Sequence, residues 1–239
     1  MFINAIKIVF LLGFLILIHE SGHFFVAKLC KVKVNEFAIG FGPTIWKKQG
    51  KETKYALRLI PLGGFVSMEG EEERSNKEGS FSEASIIKRI AIVAAGGLVN
   101  IIFAIFLFWC LSASFVGVKN AFYNVGFFIK TMFEGVIQLF TGKVSVDQMM
   151  GPVGISNVVS KTSGLADFIY ILSVISLSLG VTNLLPFPPL DGGKIVLLII
   201  EGIRKKPFSQ KIEVALQSLG FLILITLSIF VTYNDILKL

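Results

Sequence analysis

Two histidines and a glutamate lie together in an apolar run near the start of the chain. Residues 16–25 read Ile-Leu-Ile-His-Glu-Ser-Gly-His-Phe-Phe, which contains a His-Glu-x-x-His motif. Histidines four residues apart share one face of a helix, so His19 and His23 could offer two imidazole nitrogens to one zinc ion. Glu20 beside them could take a proton from water that the metal activates. The pattern predicts zinc-dependent hydrolysis.

The surroundings of the motif favour this interpretation. The motif fixes only three positions and recurs by chance, but His19 and His23 are the only histidines among the 239 residues. Both lie in an apolar segment where a bilayer is expected. Burying Glu20 and two imidazoles among Leu, Ile and Phe costs free energy unless something pairs with them. The alternative is a hydrogen-bonded polar patch in a helix bundle, and zinc chemistry fits better.

The composition is that of an integral membrane protein. Hydrophobic residues make up 54% and charged residues 16%, whereas soluble domains are about a quarter charged. The net charge of +7 does not indicate nucleic-acid binding, because the basic residues flank the apolar runs and report membrane orientation. Cys30 and Cys110 lie at the ends of different apolar runs and match no disulfide or metal framework.

We predict an all-α polytopic membrane protein, with residues 1–239 forming a single membrane-embedded domain. The first apolar run is too long for the h-region of a signal peptide and lacks a cleavage site, so it should remain as the first span. Residues 121–140 are interrupted by Lys130 and Glu134 at i,i+4 spacing, which favours an interfacial amphipathic helix. The four predicted spans are approximately residues 4–28, 90–114, 165–187 and 214–233.

The polar stretch 29–89 carries the β-structure signals. Residues 55–66 predict two short strands hinged at Pro61 and at Gly63-Gly64. This hairpin is apolar enough to dip into the membrane interface, so we expect a small membrane-re-entrant β hairpin or sheet on the cytoplasmic side. An exposed strand edge near the site could pair with an extended peptide substrate. A plain surface hairpin is the alternative.

The basic residues predict the orientation. Twelve Lys and Arg lie from Lys28 to Arg89, four lie in the next loop, and five lie in the short stretch 194–211. Basic loops stay in the cytoplasm, so both termini should be outside. His19 and Asp191 then fall on the same, cytoplasmic, side.

A third zinc ligand is needed, because catalytic zinc usually takes three from the protein. No third histidine exists, and carboxylates at the right depth are few. Asp191 lies in a segment, 183–193, in which three prolines and two glycines must break the helix. Asp191 is therefore the strongest candidate, although a surface aspartate that ends a loop is the alternative.

These motifs together resemble the site-2 protease family, specifically the bacterial regulator-of-sigma-E-protease type. The resemblance covers nearly the whole chain. The matching segments are His-Glu-Ser-Gly-His at 19–23, Gly-Phe-Gly-Pro at 40–43, Pro-Leu-Gly-Gly-Phe-Val at 61–66, Gly-Pro-Val-Gly-Ile at 151–155, Asn-Leu-Leu-Pro at 183–186, Leu-Asp-Gly-Gly at 190–193 and Asn-Asp at 234–235.

The resemblance implies zinc held by His19, His23 and Asp191, with Glu20 as the catalytic base. It implies cleavage of single-span membrane proteins near the cytoplasmic face, as in regulated intramembrane proteolysis of anti-sigma factors or remnant signal peptides. The location would be the bacterial inner membrane, with the lipid bilayer and no nucleic acid as partner. The residues implied to contact substrate are Gly63, Gly64 and Phe65 of the hairpin and Asn183, Pro186 and Pro188 before the aspartate.

The chain departs from this family pattern in three places. Family members of this type usually carry one or two PDZ domains between the second and third spans, where this chain has only about fifty residues; a naturally compact member and a deletion both remain open. Gly96-Gly97 stands where Gly-Pro is common, and Ser178 stands where close relatives often have Asn. Substrate gating by size exclusion and a substrate contact at Ser178 are therefore in doubt.

Two other classes of function compete with the protease. A membrane transporter or metal-handling protein could bind ions at the broken third helix, but the chain has no clear internal repeat and places a glutamate between the candidate ligands. A catalytically inactive membrane scaffold should have lost Glu20 or a ligand, and none is missing.

Overall fold

The computed structural model describes residues 2–112, 115–141, 143, 151–160, 162 and 164–237. Within these ranges the chain is mostly helical, with two long strands inserted after the first helix. The elements in chain order are α1 (Phe2–Leu29), β1 (Val34–Gln49), β2 (Lys54–Met68), α2 (Ile86–Ser112), α3 (Phe115–Phe140), α4 (Pro152–Ser160), α5 (Leu165–Asn183), α6 (Asp191–Arg204) and α7 (Gln210–Leu237).

Four of the described helices are long and apolar enough to cross a bilayer, which confirms the predicted number of spans. They cover Val9–Leu29, Ile86–Leu111, Leu165–Asn183 and Gln210–Leu237. The third ends at Asn183 rather than at the predicted residue 187, because the prolines that follow cannot continue a helix. α6 has 14 residues, about 21 Å of helix, and is too short to span about 30 Å of hydrocarbon.

The β-structure differs from the prediction of two short strands within 55–66. That stretch lies in one long strand, β2, which pairs with β1 instead of folding back on itself. Val34–Ile39 lies antiparallel to Gly64–Met68, and Trp46–Gln49 lies antiparallel to Lys54–Leu57. β1 bends at Gly40 and Gly42 and β2 bends at Gly63, all with positive φ, so glycines allow each strand to reach two neighbours.

The chain divides into two compact units. One contains residues 9–100 and 179–219, and it includes both strands, α6 and the His-Glu-x-x-His motif. Its core is an apolar cluster that includes Ala27, Val34, Met68, Ile92 and Leu198.

The other unit contains residues 1–8, 101–178 and 220–239. Its clearest polar contact is at the start of α4, where buried Asp235 Oδ2 accepts a hydrogen bond of 2.8 Å from the backbone N–H of Gly154. A carboxylate in this position satisfies an amide that has no partner within its own helix. Asp235 therefore stabilises the start of α4.

α1 and α2 are in backbone contact beside the histidine motif. A Cβ atom added at Gly22 would lie 2.5 Å from the carbonyl oxygen of Ala95 and 3.1 Å from the Cα of Gly96. Small residues permit such close approach of membrane helices. The side chains of His19 and His23, on the turns that flank Gly22, are thereby brought against α2.

A buried ion pair joins α2 to α6. Arg89 donates to Glu201 across 2.7 Å, and the two side chains are only 10% and 12% exposed. Glu201 lies about 15 Å along α6 from Asp191, so the pair fixes the position of the helix that carries this aspartate.

Replacing one member of this pair should be costly. In Arg89→Met, the carboxylate of Glu201 stays buried without its cation, so we expect unfolding to require about 3–5 kcal/mol less free energy. Thermal or denaturant unfolding in detergent measures this loss. The double variant Arg89→Met/Glu201→Leu should recover most of the stability, and equal stability of Arg89→Met and wild type would contradict this account.

Candidate metal centre

α1 presents both imidazoles on one face. The Nε2 atoms of His19 and His23 are 3.2 Å apart, and the ring planes are nearly perpendicular at 83°. Both side chains are about nine-tenths buried. As the i,i+4 spacing predicts, the Nε2 atoms of the two histidines lie close enough to face a single metal ion.

Asp191 reaches the same place from α6. Leu190 precedes the helix in an extended conformation and Asp191 is its first residue, where a negative charge is favourable. A Cβ at Gly192 would overlap the backbone of Leu184 and Leu185, and one at Gly193 would lie 2.7 Å from the nitrogen of Pro188. The two glycines let the broken segment fold tightly against α6, and this fold directs the aspartate toward α1.

The three donor atoms have the spacing that a tetrahedral zinc ion requires. Asp191 Oδ2 lies 3.2 Å from His19 Nε2 and 3.4 Å from His23 Nε2. Ligands about 2.0–2.1 Å from zinc in tetrahedral geometry are about 3.3 Å from one another. Asp191 Oδ2 is also buried and accepts no well-directed hydrogen bond, as expected of an atom reserved for a cation. The residues fit zinc.

Glu20 lies beside these atoms at the wall of a cavity of about 270 Å³. The cavity is also lined by Phe65 and Val66 of β2, by Glu71, and by Lys194 of α6. Lys194 Nζ is 2.6 Å from Glu71 Oε1, so an ion pair stands in the cavity wall. This volume has room for several water molecules next to the glutamate.

β2 approaches Glu20 directly. A Cβ added at Gly64 would lie 3.1 Å from Glu20 Cγ and 3.0 Å from the carbonyl oxygen of Ala38. A side chain at this position would require Glu20 or Ala38 to shift. A glycine at this position keeps the strand backbone within reach of the glutamate.

An ion-pair network holds the strand segment at the cavity. Glu36 accepts from Arg58 and Lys54, each at 2.9 Å, and the guanidinium of Arg58 stacks 4.9 Å from the ring centre of Phe65. Burial tends to raise the pKa of the Glu36 carboxyl, but the hydrogen bonds from Arg58 and Lys54 outweigh it and hold this pKa below its ordinary value. Glu36 is therefore ionised at neutral pH and anchors both cations.

The structure places some of the predicted substrate-contacting residues at the cavity and others away from it. Phe65 lines the cavity and Gly64 adjoins Glu20, whereas the side chain of Asn183 donates to the Leu179 carbonyl oxygen within its own helix at 3.0 Å. Pro186 and Pro188 lie in the broken segment before α6. Pro189 also lines the cavity, and sequence reasoning did not single it out.

Two contacts with α2 complete the surroundings of the imidazoles. His23 Nδ1 is 2.9 Å from the carbonyl oxygen of Ile92, and His19 Nδ1 is 3.3 Å from the side-chain amide of Asn100. From sequence, Asn100 is not identified as a contact of a histidine. An amide one turn after the glycine pair at 96–97 is the only signal that the sequence offers.

The chain matches known proteins in one family. The profile of peptidase family M50 matches residues 7–227. A protein of Clostridium acetobutylicum named "Putative zinc metalloprotease" is 28% identical over 331 aligned positions, which cover 98% of each chain. A Fusobacterium nucleatum protein of the same name is 26% identical, with 97% of this chain and 98% of the relative covered. The Escherichia coli regulator of sigma-E protease RseP is 46% identical over 103 residues, which are 41% of this chain and 23% of the relative.

The length of one alignment also bears on the PDZ domains that the family resemblance leads us to expect. The Clostridium alignment spans 331 positions, although this chain has only 239 residues and both chains are covered nearly end to end. The relative must therefore carry a long insertion within the shared fold. No PDZ domain is evident in the part of this chain that the structure describes.

Gly96 is the position where the site should be least tolerant of change. A Cβ there would overlap His23 Nε2 and lie 2.7 Å from His19 Cε1. We expect Gly96→Ala to displace the imidazoles, to weaken zinc binding and to lower activity by about 100-fold, since misplacing reacting groups by about 1 Å has that effect. Zinc content after dialysis against a chelator, together with peptidase activity, measures the loss.

Gly126→Ala is the matched control for this variant. A Cβ at Gly126, in α3, meets nothing within 4 Å, so this change should leave zinc content and activity unaltered. If Gly96→Ala retains zinc as well as Gly126→Ala does, the close contact of α2 with the imidazoles is not important for binding.

Proposed function

The chain belongs to peptidase family M50, and we propose that it cuts peptide bonds within membrane spans at a zinc ion held by His19, His23 and Asp191. The family and its metalloprotease relatives make the protein a site-2-type zinc metallopeptidase. The ligand assignment rests on one observation: two buried imidazole nitrogens and a carboxylate oxygen lie 3.2–3.4 Å apart. A transporter is not favoured by these relationships.

Glu20 is assigned the role of general base. When bound, zinc supplies Lewis acidity, which acidifies the attacking water and stabilises the negative charge that develops on the carbonyl oxygen. Glu20 accepts the proton of the attacking water and then delivers it to the amine nitrogen as the peptide bond breaks. His19, His23 and Asp191 hold their positions through the reaction.

The proposed substrates are single-span membrane proteins, with anti-sigma factors and remnant signal peptides as examples. A peptide bond inside a transmembrane helix is already hydrogen-bonded, so the helix must unwind before hydrolysis. The segment Gly63, Gly64 and Phe65 adjoins Glu20 and the cavity, which supports a role in holding an unwound strand by main-chain hydrogen bonds. Asn183, Pro186 and Pro188 are proposed to line the rest of the path.

The test is cleavage of a detergent-solubilised single-span substrate by wild type and Glu20→Gln, with zinc content assayed alongside. Gln keeps the size of the side chain but cannot take up the proton, so we expect activity to fall by about 10²–10⁴-fold. Both proteins should hold about one zinc ion per chain.

Glu134→Gln is the control, because Glu134 lies on α3 in an exposed ion pair with Lys130. This variant should cleave the substrate as wild type does. Equal cleavage by Glu20→Gln and wild type would exclude Glu20 as the base. Purified wild type without zinc, under conditions that retain the metal in other zinc peptidases, would exclude the proposed centre.

The proposed orientation places both termini outside and the metal centre toward the cytoplasm of a bacterial inner membrane. The basic loops 28–89 and 194–211 support it. Four spans require both termini to lie on the same side. His19 lies ten residues, about 15 Å, from the end of α1, which would place the site within one leaflet.

Cysteine labelling in intact cells tests this orientation. After Cys30 and Cys110 are replaced by Ser, single cysteines are placed at exposed Glu72, Lys119 and Lys206. We expect a membrane-impermeant maleimide to label Lys119→Cys in intact cells, and Glu72→Cys and Lys206→Cys only after permeabilisation. Labelling in denaturant shows that all three thiols react. The reverse pattern would place the site outside.

A further inference from the structure

One face of α2 contacts both imidazoles of the candidate metal centre and the helix that carries Asp191. Arg89, Ile92, Gly96 and Asn100 are spaced by three, four and four residues, so they form a single stripe along the helix. All four are buried. They contact, in order, Glu201 of α6, Nδ1 of His23, both imidazole rings, and Nδ1 of His19.

Zinc binding at Nε2 imposes a condition on the opposite side of each ring. Nδ1 must then carry the proton, and a buried N–H needs an acceptor. The backbone carbonyl oxygen of Ile92 serves His23 at 2.9 Å. For His19, the group within reach is the carboxamide of Asn100 at 3.3 Å. The carboxamide oxygen and nitrogen of Asn100 occupy nearly equivalent positions. A rotation of the carboxamide by 180° about the Cβ–Cγ bond therefore presents Oδ1 to the Nδ1 proton of His19.

The third candidate ligand depends on the same stripe. Asp191 is the first residue of α6, and Glu201 of that helix is held by Arg89 at 2.7 Å. The stripe thus orients two ligands through hydrogen bonds, makes room for them with a glycine, and fixes the helix that carries the third.

We propose that this stripe of α2 is the positioning element of the zinc centre, and that Asn100 fixes the tautomer and ring orientation of His19. The proposal rests on the ligand set proposed above. Asn100 is a positioning residue, since it acts through His19. Zinc centres commonly rely on such outer hydrogen bonds, and their loss weakens metal affinity about 10–100-fold.

A packing role for Asn100 would predict a different result. A buried amide that merely joined helices would, on removal, disturb the bundle as a whole and both histidines alike. A positioning role confines the effect to His19, because His23 keeps the Ile92 carbonyl oxygen. It also allows rescue by any side chain of similar size that accepts a hydrogen bond from Nδ1.

The variants are Asn100→Leu, which keeps the branched shape but removes the acceptor, and Asn100→Asp, which keeps an acceptor and reproduces the carboxylate–histidine–zinc arrangement. Ser173→Ala is the control. Ser173 is equally buried in a spanning helix, and its hydroxyl donates to the Ile169 carbonyl oxygen at 2.6 Å in the unit that lacks the metal centre.

Zinc affinity is measured by competition with a chelator in detergent. We expect Asn100→Leu to bind zinc about 10–100-fold more weakly, Asn100→Asp to restore most of the affinity, and Ser173→Ala to bind as wild type does. Equal affinity of Asn100→Leu and wild type would overturn the proposal, as would an equal loss in Ser173→Ala.

The second readout is nitrogen NMR of zinc-loaded protein labelled with ¹⁵N only at histidine. The chain contains just His19 and His23, so a histidine-free affinity tag leaves two rings to follow. In wild type, both rings should carry the proton on Nδ1 and bind metal through Nε2. In Asn100→Leu, the Nδ1 proton of His19 should exchange with water faster while that of His23 is unchanged.

The outcomes separate the two proposals. If both rings change equally in Asn100→Leu, or neither changes, Asn100 does not position His19, and the ligand assignment is untouched. If neither ring binds zinc in wild type, the proposed centre itself is wrong. If Asn100→Leu does not fold, Asn100→Asp still decides the matter: weak binding by a folded Asn100→Asp refutes the positioning role.

Discussion

Two imidazoles and a carboxylate lie against each other inside an otherwise apolar assembly of helices, and this arrangement governs the rest of the structure. Each group would lose several kcal/mol of hydration on burial without a partner. A divalent cation that shares their lone pairs removes this penalty, since it supplies the positive charge that Asp191 and the imidazole nitrogens lack. The protein must then position distant segments of its sequence with sub-ångström accuracy. It must do so in lipid, which provides no hydrophobic driving force for helix association.

Close backbone approach is the means by which it does so. Gly22 and Gly96 let α1 and α2 touch where the histidines project, and Gly192 and Gly193 let the proline-broken segment fold against α6. Because lipid offers no hydrophobic drive for helices to associate, packing and buried polar contacts must hold them together. The Arg89–Glu201 pair and the contacts of Ile92 and Asn100 are of this kind. Helix contact and metal geometry thus depend on the same few atoms.

Much of this could be predicted from the sequence. The hydropathy pattern predicts four spans, and the spacing of His19 and His23 defines their common face. The basic loops predict that Asp191 and the histidines lie on the same side of the membrane, and this orientation stays a prediction. The structure brings Asp191 Oδ2 within 3.4 Å of Nε2 of both histidines. The number of apolar helices and the shared face of the histidines are predictable because they depend on hydropathy and periodicity, which are local properties of the chain.

The strands and the surroundings of the imidazoles were harder to foresee. Glycine and proline in 55–66 indicate bends but not partners, so the pairing of β2 with β1 required the tertiary fold. The role of Asn100 depends on how α1 and α2 are rotated against each other, which an apolar helix with little amphipathic character does not reveal. The hydrogen bond of Asn183 was equally hard to predict. Its side chain donates to a carbonyl oxygen within its own helix, and nothing in the residue type predicts this partner.

The distance along the chain between the candidate ligands has a further consequence. His19 and Asp191 are 172 positions apart in a chain of 239 residues, so an ion bound to both would act as a cross-link that closes more than two thirds of the polypeptide into one loop. Such a closure removes conformational freedom from the unfolded chain, as a long-range disulfide does, and binding to the folded state alone adds to its stability. Loss of the ion would therefore both destabilise the fold and abolish hydrolysis. Stably folded but inactive protein would then not accumulate in the membrane.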